Sequence, residues 1–438
     1  MDNRLESNPH LAHYLKRFES YHERAMDFGL SRTLRLMHDL GDPHLHLPPV
    51  IHVAGTNGKG STIAFLKAIL NESGLKSHVM TSPHLTQYRE RFVIADHMVS
   101  NDLLAEYMRR IDEKNAGQSA TFFELITAVG FELFAHHNAD VALIETGMGG
   151  RLDTTNIIPN PRATVITMIS MDHTQHLGDT IQKIAAEKAG IMKQNVPCVI
   201  GVQTEYALSQ HIHDVFETHA RALNVPLYRH GIEWNYHITD DGFIVNFKGE
   251  IYHLPRPSLV GAHQYANAAT AFVTFLVAQM GDANIARHGV AKAIWRGRLQ
   301  KLDNGNLKNL VGASDELWLD GGHNDTGGIV LADQINAWNK DDAKETHLIL
   351  GMLNTKNPME FCAPLMDKVA SISCITIPHQ PLSLSGHELA HKIGGTGMSS
   401  LQEAITSICA DNTRPKRILI AGSLYLAGHV LMADEIKN

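Results

Sequence analysis

The stretch 50-VIHVAGTNGKGST-62 holds the residue types that a nucleotide phosphate needs. An apolar run ends in glycine, and Lys59 and the hydroxyls of Ser61 and Thr62 follow at once. Glycines let the backbone approach phosphate oxygens, and a helix opening at the same point adds partial positive charge. Lys59 supplies a point charge for the terminal phosphates, with Thr56, Asn57, Gly58, Gly60, Ser61 and Thr62 in the same cradle. The spacing departs from the common G-x-x-x-x-G-K-[ST] pattern. Val53 stands where the first glycine belongs, and Gly60 separates Lys59 from Ser61. A glycine-rich turn with a surface lysine is the plainer reading. It does not account for strand, glycines, lysine, hydroxyls and helix arriving in order.

Polar groups at other strand ends extend the pattern. Glu145 closes the apolar run DVALIE, so it emerges at a strand's carboxyl end, where open α/β sheets bind ligands. A carboxylate there suits a hard cation such as Mg²⁺, which prefers oxygen. Ser82 follows VMT at a second strand end, and His173 in M-D-H-T follows ATVITMIS. Imidazole is an unusual Mg²⁺ ligand, and Asp172 is the alternative electrostatic group. Lys188 in AAEKAGI reads on its own as a helix-surface lysine paired with Glu187.

The blocks HVAGTNGKGST, TSPHLTQYRERFVI, ALIETGMGGRLDTTN, ISMDHTQHLG, IAAEKAGIMK, RGRLQ, LDGGHN and AGSLYLAG run over nearly the whole chain. In that order they resemble the Mur ligase superfamily, in its folylpolyglutamate synthase and dihydrofolate synthase branch. The resemblance implies an ATP-dependent amide ligase with an N-terminal ATPase domain and a C-terminal Rossmann-like domain. Such an enzyme moves the γ-phosphoryl group of ATP onto a carboxylate, and an amine then attacks the acyl phosphate. That chemistry needs positioning and charge neutralisation above all.

By the same resemblance, Ser82 and Glu145 hold one Mg²⁺ and His173 a second, with Lys188 carbamylated between them. Burial and nearby positive charge lower a lysine's pKa and expose the neutral amine that reacts with CO₂. Asn267 in QYANAATA, Arg298 in WRGRLQ, and Asp320 and His323 in LDGGHN resemble the family's remaining ATP contacts. Lys59, Lys188, His173, Glu145 and Arg298 make up the implied catalytic set, and ATP and Mg²⁺ the cofactors. In 27-DFGLSRTLRLM-37, the run Gly29-Leu30-Ser31-Arg32 resembles a G-L-x-R segment that helps the bifunctional bacterial enzymes hold dihydropteroate, with Gly29, Leu30 and Ser31 as the implied contacts. Its plainer reading is an amphipathic helix. Phe123 and Glu124 in FFEL, and Leu152, Asp153 and Thr154, resemble the rest of that pocket. The implied partners are dihydropteroate, tetrahydrofolate and its polyglutamates, and L-glutamate, acting on a monomer. Two positions and one segment depart from many relatives: Gly322 stands for an alanine, Arg296 for a proline, and GMLNTKN lacks both acids of a related segment.

The elements that must position these residues are legible as alternation. VIHVAG, KSHVMTS, ADVALIETG, ATVITMIS and VPCVIGV read as buried strands. Helical stretches such as TFFELITAVGFELFAHH and GDTIQKIAAEKAGIMK lie between them, as in a largely parallel sheet covered on both faces. From Leu227 to Leu254 the pattern turns to alternation with D-D-G and K-G-E turns, a small antiparallel excursion. GAHQYANAATAFVTFLVAQM returns to helix. Beyond it ELWLDGG, THLILGML, CITIP and RILIAGS are strands of a smaller α/β domain. The expected division is 1–298 and 299–438.

Composition sets the outer limits. The chain has 438 residues, 44% hydrophobic and 19% charged, with a formal net charge of -8. That balance gives no electrostatic reason to bind nucleic acid. The four cysteines form no C-x-x-C pair, and the 28 histidines are scattered without ligand spacing. The charged N-terminus has no signal-peptide core, and no apolar run approaches the ~20 residues of a membrane helix. These features lead to the expectation of a cytoplasmic protein without membrane contact.

Overall fold

The computed structural model describes residues 8–21, 28–342, 344–410 and 414–435. The chain divides into two compact units. The first takes the chain to Ser258 together with Gln264–Ile294, and the second takes Leu259–His263 and Trp295–Asn438.

Eight strands form the main sheet of the first unit: β1 (Val50–Ala54), β2 (Ser77–Met80), β3 (Phe92–Ile94), β4 (His97–Met98), β5 (Val141–Glu145), β6 (Ala163–Ile166), β7 (Cys198–Ile200) and β8 (Leu227–Arg229). Their order is β4-β3-β2-β5-β1-β6-β7-β8. All pairs from β2 to β8 are parallel, and β3 and β4 add an antiparallel edge. β1 and β5 are buried along their whole length, which is why both read as unbroken apolar runs. The register decides where chemistry can gather. Val53 lies opposite both Glu145 and Val165, and Met80 opposite Ile144. The loop after β1, Ser82 after β2, Glu145 and the segment after β6 therefore leave the sheet along one edge.

Leu11, Leu15 and Phe18 of the helix Pro9–Glu19 pack with Leu36, Phe92, Phe131 and Phe134 in one core cluster of this unit. Ile166, Ile184, Phe216 and their neighbours form a second. The antiparallel excursion is a three-stranded meander, β9 (Trp234–Thr239), β10 (Gly242–Phe247) and β11 (Glu250–Pro255). Leu227–Arg229 does not belong to it, contrary to the sequence reading. Cys198, Val199 and Ile200 of β7 pair with those residues in parallel and draw them into the main sheet.

The second unit has β12 (Gln300–Lys301), β13 (Glu316–Leu319), β14 (Glu345–Leu350), β15 (Ser371–Cys374), β16 (Thr396–Gly397) and β17 (Lys416–Ala421), in the order β12-β13-β17-β14-β15-β16. Only β12 runs antiparallel to its neighbour. The strand expected at CITIP lies earlier. Pro378 has no N–H for a ladder, and the Ile377 N–H goes to Ser383 Oγ at 2.9 Å, so the chain leaves the sheet there. Trp318, Trp338, Leu348, Phe361 and Leu419 lie in this unit's own core. The fold is α/β, with a mostly parallel sheet in each unit. Among the described residues no helix is long and apolar enough to cross a membrane.

Candidate active site

The helix after β1 runs Lys59–Glu72, and Gly58 caps it at φ 87°. Its first turn carries no acidic residue and its cap makes no side-chain hydrogen bond, so its N–H groups are disposed to meet an anion. Gly58 is needed twice. Its φ is left-handed, and a Cβ there would lie 2.5 Å from Asn267 Oδ1. Asn267 in turn donates to Gln264 Oε1 at 3.0 Å, and Gln264 reaches Ser61 Oγ at 3.5 Å. The helix Ala262–Ala278 thus lies against the loop that the sequence singled out.

Lys59 Nζ donates to the carbonyls of Gly55 at 3.0 Å and Thr56 at 3.2 Å, and stands 3.7 Å from Glu145 Oε1. The other Glu145 oxygen accepts from the Ser82 backbone N–H at 3.1 Å. Three strand ends therefore meet at one carboxylate. Thr62 Oγ1 is buried without a hydrogen-bond partner, a hydroxyl with capacity for a phosphate or a metal-bound water.

Lys188 is not on the surface. It is 3% exposed on the helix Ile181–Ala189, and its Nζ donates to the same Gly55 carbonyl at 2.9 Å. Glu187 pairs elsewhere, accepting from Arg151 Nη2 at 2.8 Å and Nε at 3.0 Å. Burial, reinforced by the charge of Lys59, brings the Lys188 pKa down to about 7, against the pull of Asp172, Asp153 and Glu187. His173 sits at φ 50° before the short helix Thr174–Leu177, its Nε2 3.9 Å from Asp172 Oδ2. No group of three or more His, Cys, Asp or Glu among the described residues forms a metal cage. A carboxylate and hydroxyls beside this loop still fit a cation that takes much of its shell from phosphate and water, as Mg²⁺ does.

Three residues that the sequence reading missed brace the loop. Thr167 Oγ1 donates to the Asn57 carbonyl at 2.7 Å, and a Cβ on Gly55 would fall 1.8 Å from that oxygen. Thr56 Oγ1 donates to the Ser170 carbonyl and accepts from the Ser170 N–H, each at 3.2 Å. Gln203 is 7% exposed, accepts from Ile169 N and donates to the carbonyls of Thr167 and Gly201. Gln203→Leu leaves those three backbone groups unpaired. The expected result is a loss of about 2 kcal/mol or more in chemical denaturation, with a raised KM for nucleotide.

Of the expected pocket residues, Gly29 and Leu30 lead into the helix Ser31–Asp39. Phe123 lies over Gly147, where a Cβ would meet its ring at 2.4 Å. Glu124 caps its own helix, Phe122–Ala135, by accepting from Thr121 N at 2.6 Å. Asp153 is buried and gathers the N–H groups of Met148 at 2.8 Å and Thr155 at 3.0 Å, which shapes the turn after Leu152. Thr154 Oγ1 meets Thr127 Oγ1 at 2.5 Å.

In the second unit Asp320 is 7% exposed and accepts from Leu299 N at 2.8 Å and Gly322 N at 2.6 Å. A Cβ on Gly321 would lie 2.7 Å from Arg298 Nη1, and His323 Nδ1 is 3.0 Å from the Gly321 carbonyl. Arg298 thus lies against the turn that carries Asp320 and His323. A Cβ at Gly322 would come 2.8 Å from Asp320 Oδ1, so glycine there lets the carboxylate close on its own loop. His263 belongs to the same group. Desolvation lowers its pKa to about 4, Asp320 opposing and Arg298 assisting.

A phosphate loop at the edge of a parallel sheet, with a carboxylate and two lysines converging on it, defines a nucleotide-using enzyme of the Mur ligase class. Residues 53–275 match the Mur ligase middle domain. The dihydrofolate synthase/folylpolyglutamate synthase of Escherichia coli (strain K12) is 32% identical over 433 residues, covering 98% of this chain and 96% of that protein. The solved E. coli structure in complex with DHPP and ADP is 30% identical with a TM-score of 0.87, over 97% of each chain. A bifunctional folylpolyglutamate synthase/dihydrofolate synthase with Mn, AMPPNP and L-glutamate bound is 29% identical, with a TM-score of 0.83 over 98% of each chain. The chain belongs to the dihydrofolate synthase/folylpolyglutamate synthase family.

Proposed function

We propose that this chain is an ATP-dependent amide ligase. It joins L-glutamate to dihydropteroate and, as a second activity, to tetrahydrofolate and its polyglutamates. The observation that carries the reading is the convergence of Lys59, Lys188 and Glu145 on the loop after β1, with Ser82 N on the same carboxylate. The relatives support the substrates: their structures hold DHPP with ADP, and L-glutamate with an ATP analogue.

The chemistry follows from what each group can do. First-turn N–H groups and Lys59 hold the terminal phosphates, with Thr56, Asn57, Gly60, Ser61 and Thr62 around them. Asn267 adds a contact beside the phosphate loop, and Arg298, Asp320 and His323 are the further ATP contacts that the family resemblance implies. A pteroyl carboxylate oxygen attacks the γ-phosphorus in line, ADP leaves, and an acyl phosphate results. The deprotonated amine of glutamate then attacks the acyl carbon, and the tetrahedral intermediate collapses with release of phosphate. Ser82, Glu145, His173 and a carbamate on Lys188 would hold Mg²⁺, which offsets phosphate charge when bound. Gly29, Leu30, Ser31, Phe123, Leu152 and Thr154 frame the pteroyl group, with Glu124 and Asp153 fixing the backbone around it. We place the protein in the cytoplasm as a monomer. Its four free cysteines suit a reducing compartment.

Product analysis with ATP, Mg²⁺, glutamate and either dihydropteroate or tetrahydrofolate tests the reading. ADP release that needs glutamate with each pteroyl acid is the expected result. Release with tetrahydrofolate alone reduces the enzyme to a folylpolyglutamate synthase. Release with UDP-linked cell-wall precursors moves it to the muramyl ligases. Nucleotide binding without ligation makes it a scaffold.

A further inference from the structure

Phe28–Ser31, the segment that carries three of the pocket residues, is tied down on both sides. The Phe28 ring meets His176, centroids 5.7 Å apart, in the short helix that follows His173. At the other end Arg32 reaches Glu124: its Nε lies 3.1 Å from each carboxylate oxygen, and its Nη2 3.1 Å from Oε1. Glu124 is 1% exposed and stands in the first turn of the helix Phe122–Ala135. It is 92 residues from Arg32, so the pair joins two separate elements rather than neighbours on one helix. The helix Ser31–Asp39 also packs on Phe122–Ala135 and on the turn Thr154–Ile157.

A buried carboxylate needs a partner, and a guanidinium fork fixes direction as well as charge. Glu124 divides its capacity. One oxygen also accepts from Thr121 N, which holds the start of its own helix without help from Arg32. The ion pair is therefore not required to form that helix. It sets how the Phe28–Ser31 segment stands relative to Phe123 and Thr154.

We propose that Arg32 is a positioning residue for the pteroyl substrate, fastening Phe28–Ser31 to the helix that carries Phe123 through its fork on Glu124. The inference rests on the ligase reading above and adds the contact that holds this segment to the helix of Phe123. Arg32→Lys keeps the charge on Glu124 and removes the fork.

The test is steady-state kinetics of the full chain with dihydropteroate, ATP and glutamate varied in turn. For Arg32→Lys the KM for dihydropteroate should rise about tenfold, while kcat and the KM for ATP stay within about twofold. Glu124→Gln keeps an acceptor for Thr121 N and should give the same selective rise. The double variant Arg32→Lys with Glu124→Gln should match the singles rather than multiply them, since all three break one contact. Unchanged KM for dihydropteroate in folded Arg32→Lys or Glu124→Gln overturns the proposal. So does an equal rise for ATP, which marks a general loss of structure. If Arg32→Lys does not fold, Glu124→Gln decides by the same criterion. A wild-type enzyme inert with dihydropteroate removes the dihydrofolate synthase activity proposed above instead, so the two failures are distinguishable.

Discussion

Lys59→Ala is expected to lower kcat by roughly a thousandfold, the scale seen when a preorganised electrostatic contact to the reacting group is removed. Lys59 Nζ stands within 3.2 Å of two loop carbonyls and 3.7 Å from Glu145, so it is already at the point where a terminal phosphate would meet the helix. The substitution should leave the apolar core standing, because the side chain contributes charge rather than packing. It also removes the positive neighbour that helps depress Lys188. Glutamate-dependent ADP release measures the effect, with circular dichroism to establish that the variant is folded. A kcat within tenfold of wild type rules out the phosphate assignment.

Lys188→Ala is the second large effect: loss of most turnover, with partial recovery on adding a small carboxylate such as acetate. The amine must be neutral to take up CO₂. At an unshifted pKa only about 0.1% or less of a lysine is neutral at pH 7, whereas a pKa near 7 leaves roughly half. Indifference of the rate to the substitution removes the carbamate from the mechanism. The same group predicts a pH dependence in CO₂-free buffer. Its folded pKa, about 7, lies below the ordinary lysine value of 10.5, so between those values the unfolded chain binds the proton that the folded chain lacks. Stability therefore rises with pH across that window, and the penalty is complete below it. Urea unfolding of wild type at pH 7 and 9 should show the rise, and Lys188→Met should lack that part of it.

Much of the fold was legible because burial on both faces leaves a mark in composition. Val50–Ala54 and Val141–Glu145 are unbroken apolar runs that end at the chemistry. Leu227–Arg229 was misplaced because a half-buried strand of three residues looks like the start of the meander beside it. Gln300–Lys301 and Thr396–Gly397 are too short to carry any period. For the site, glycines and the lysine announce themselves, since their spacing is local. Thr167 and Gln203 do not, because each bonds to backbone groups that any residue could supply, and Ser170 meets Thr56 Oγ1 through its own backbone. Glu124 is the intermediate case. Thr121-x-x-Glu124 is a readable capping box, but the partner that completes its role, Arg32, lies on a distant element.

The Gly55 carbonyl accepts from two lysines at once. On the phosphate role proposed above, each loop contact that Lys59 exchanged for a phosphate oxygen would be lost, and Gly55 would keep the bond from Lys188. Nucleotide capture would then be an exchange reaction: the affinity would report the difference between phosphate and peptide oxygen as hosts for one ammonium group, and a tighter resting loop would make a weaker binder.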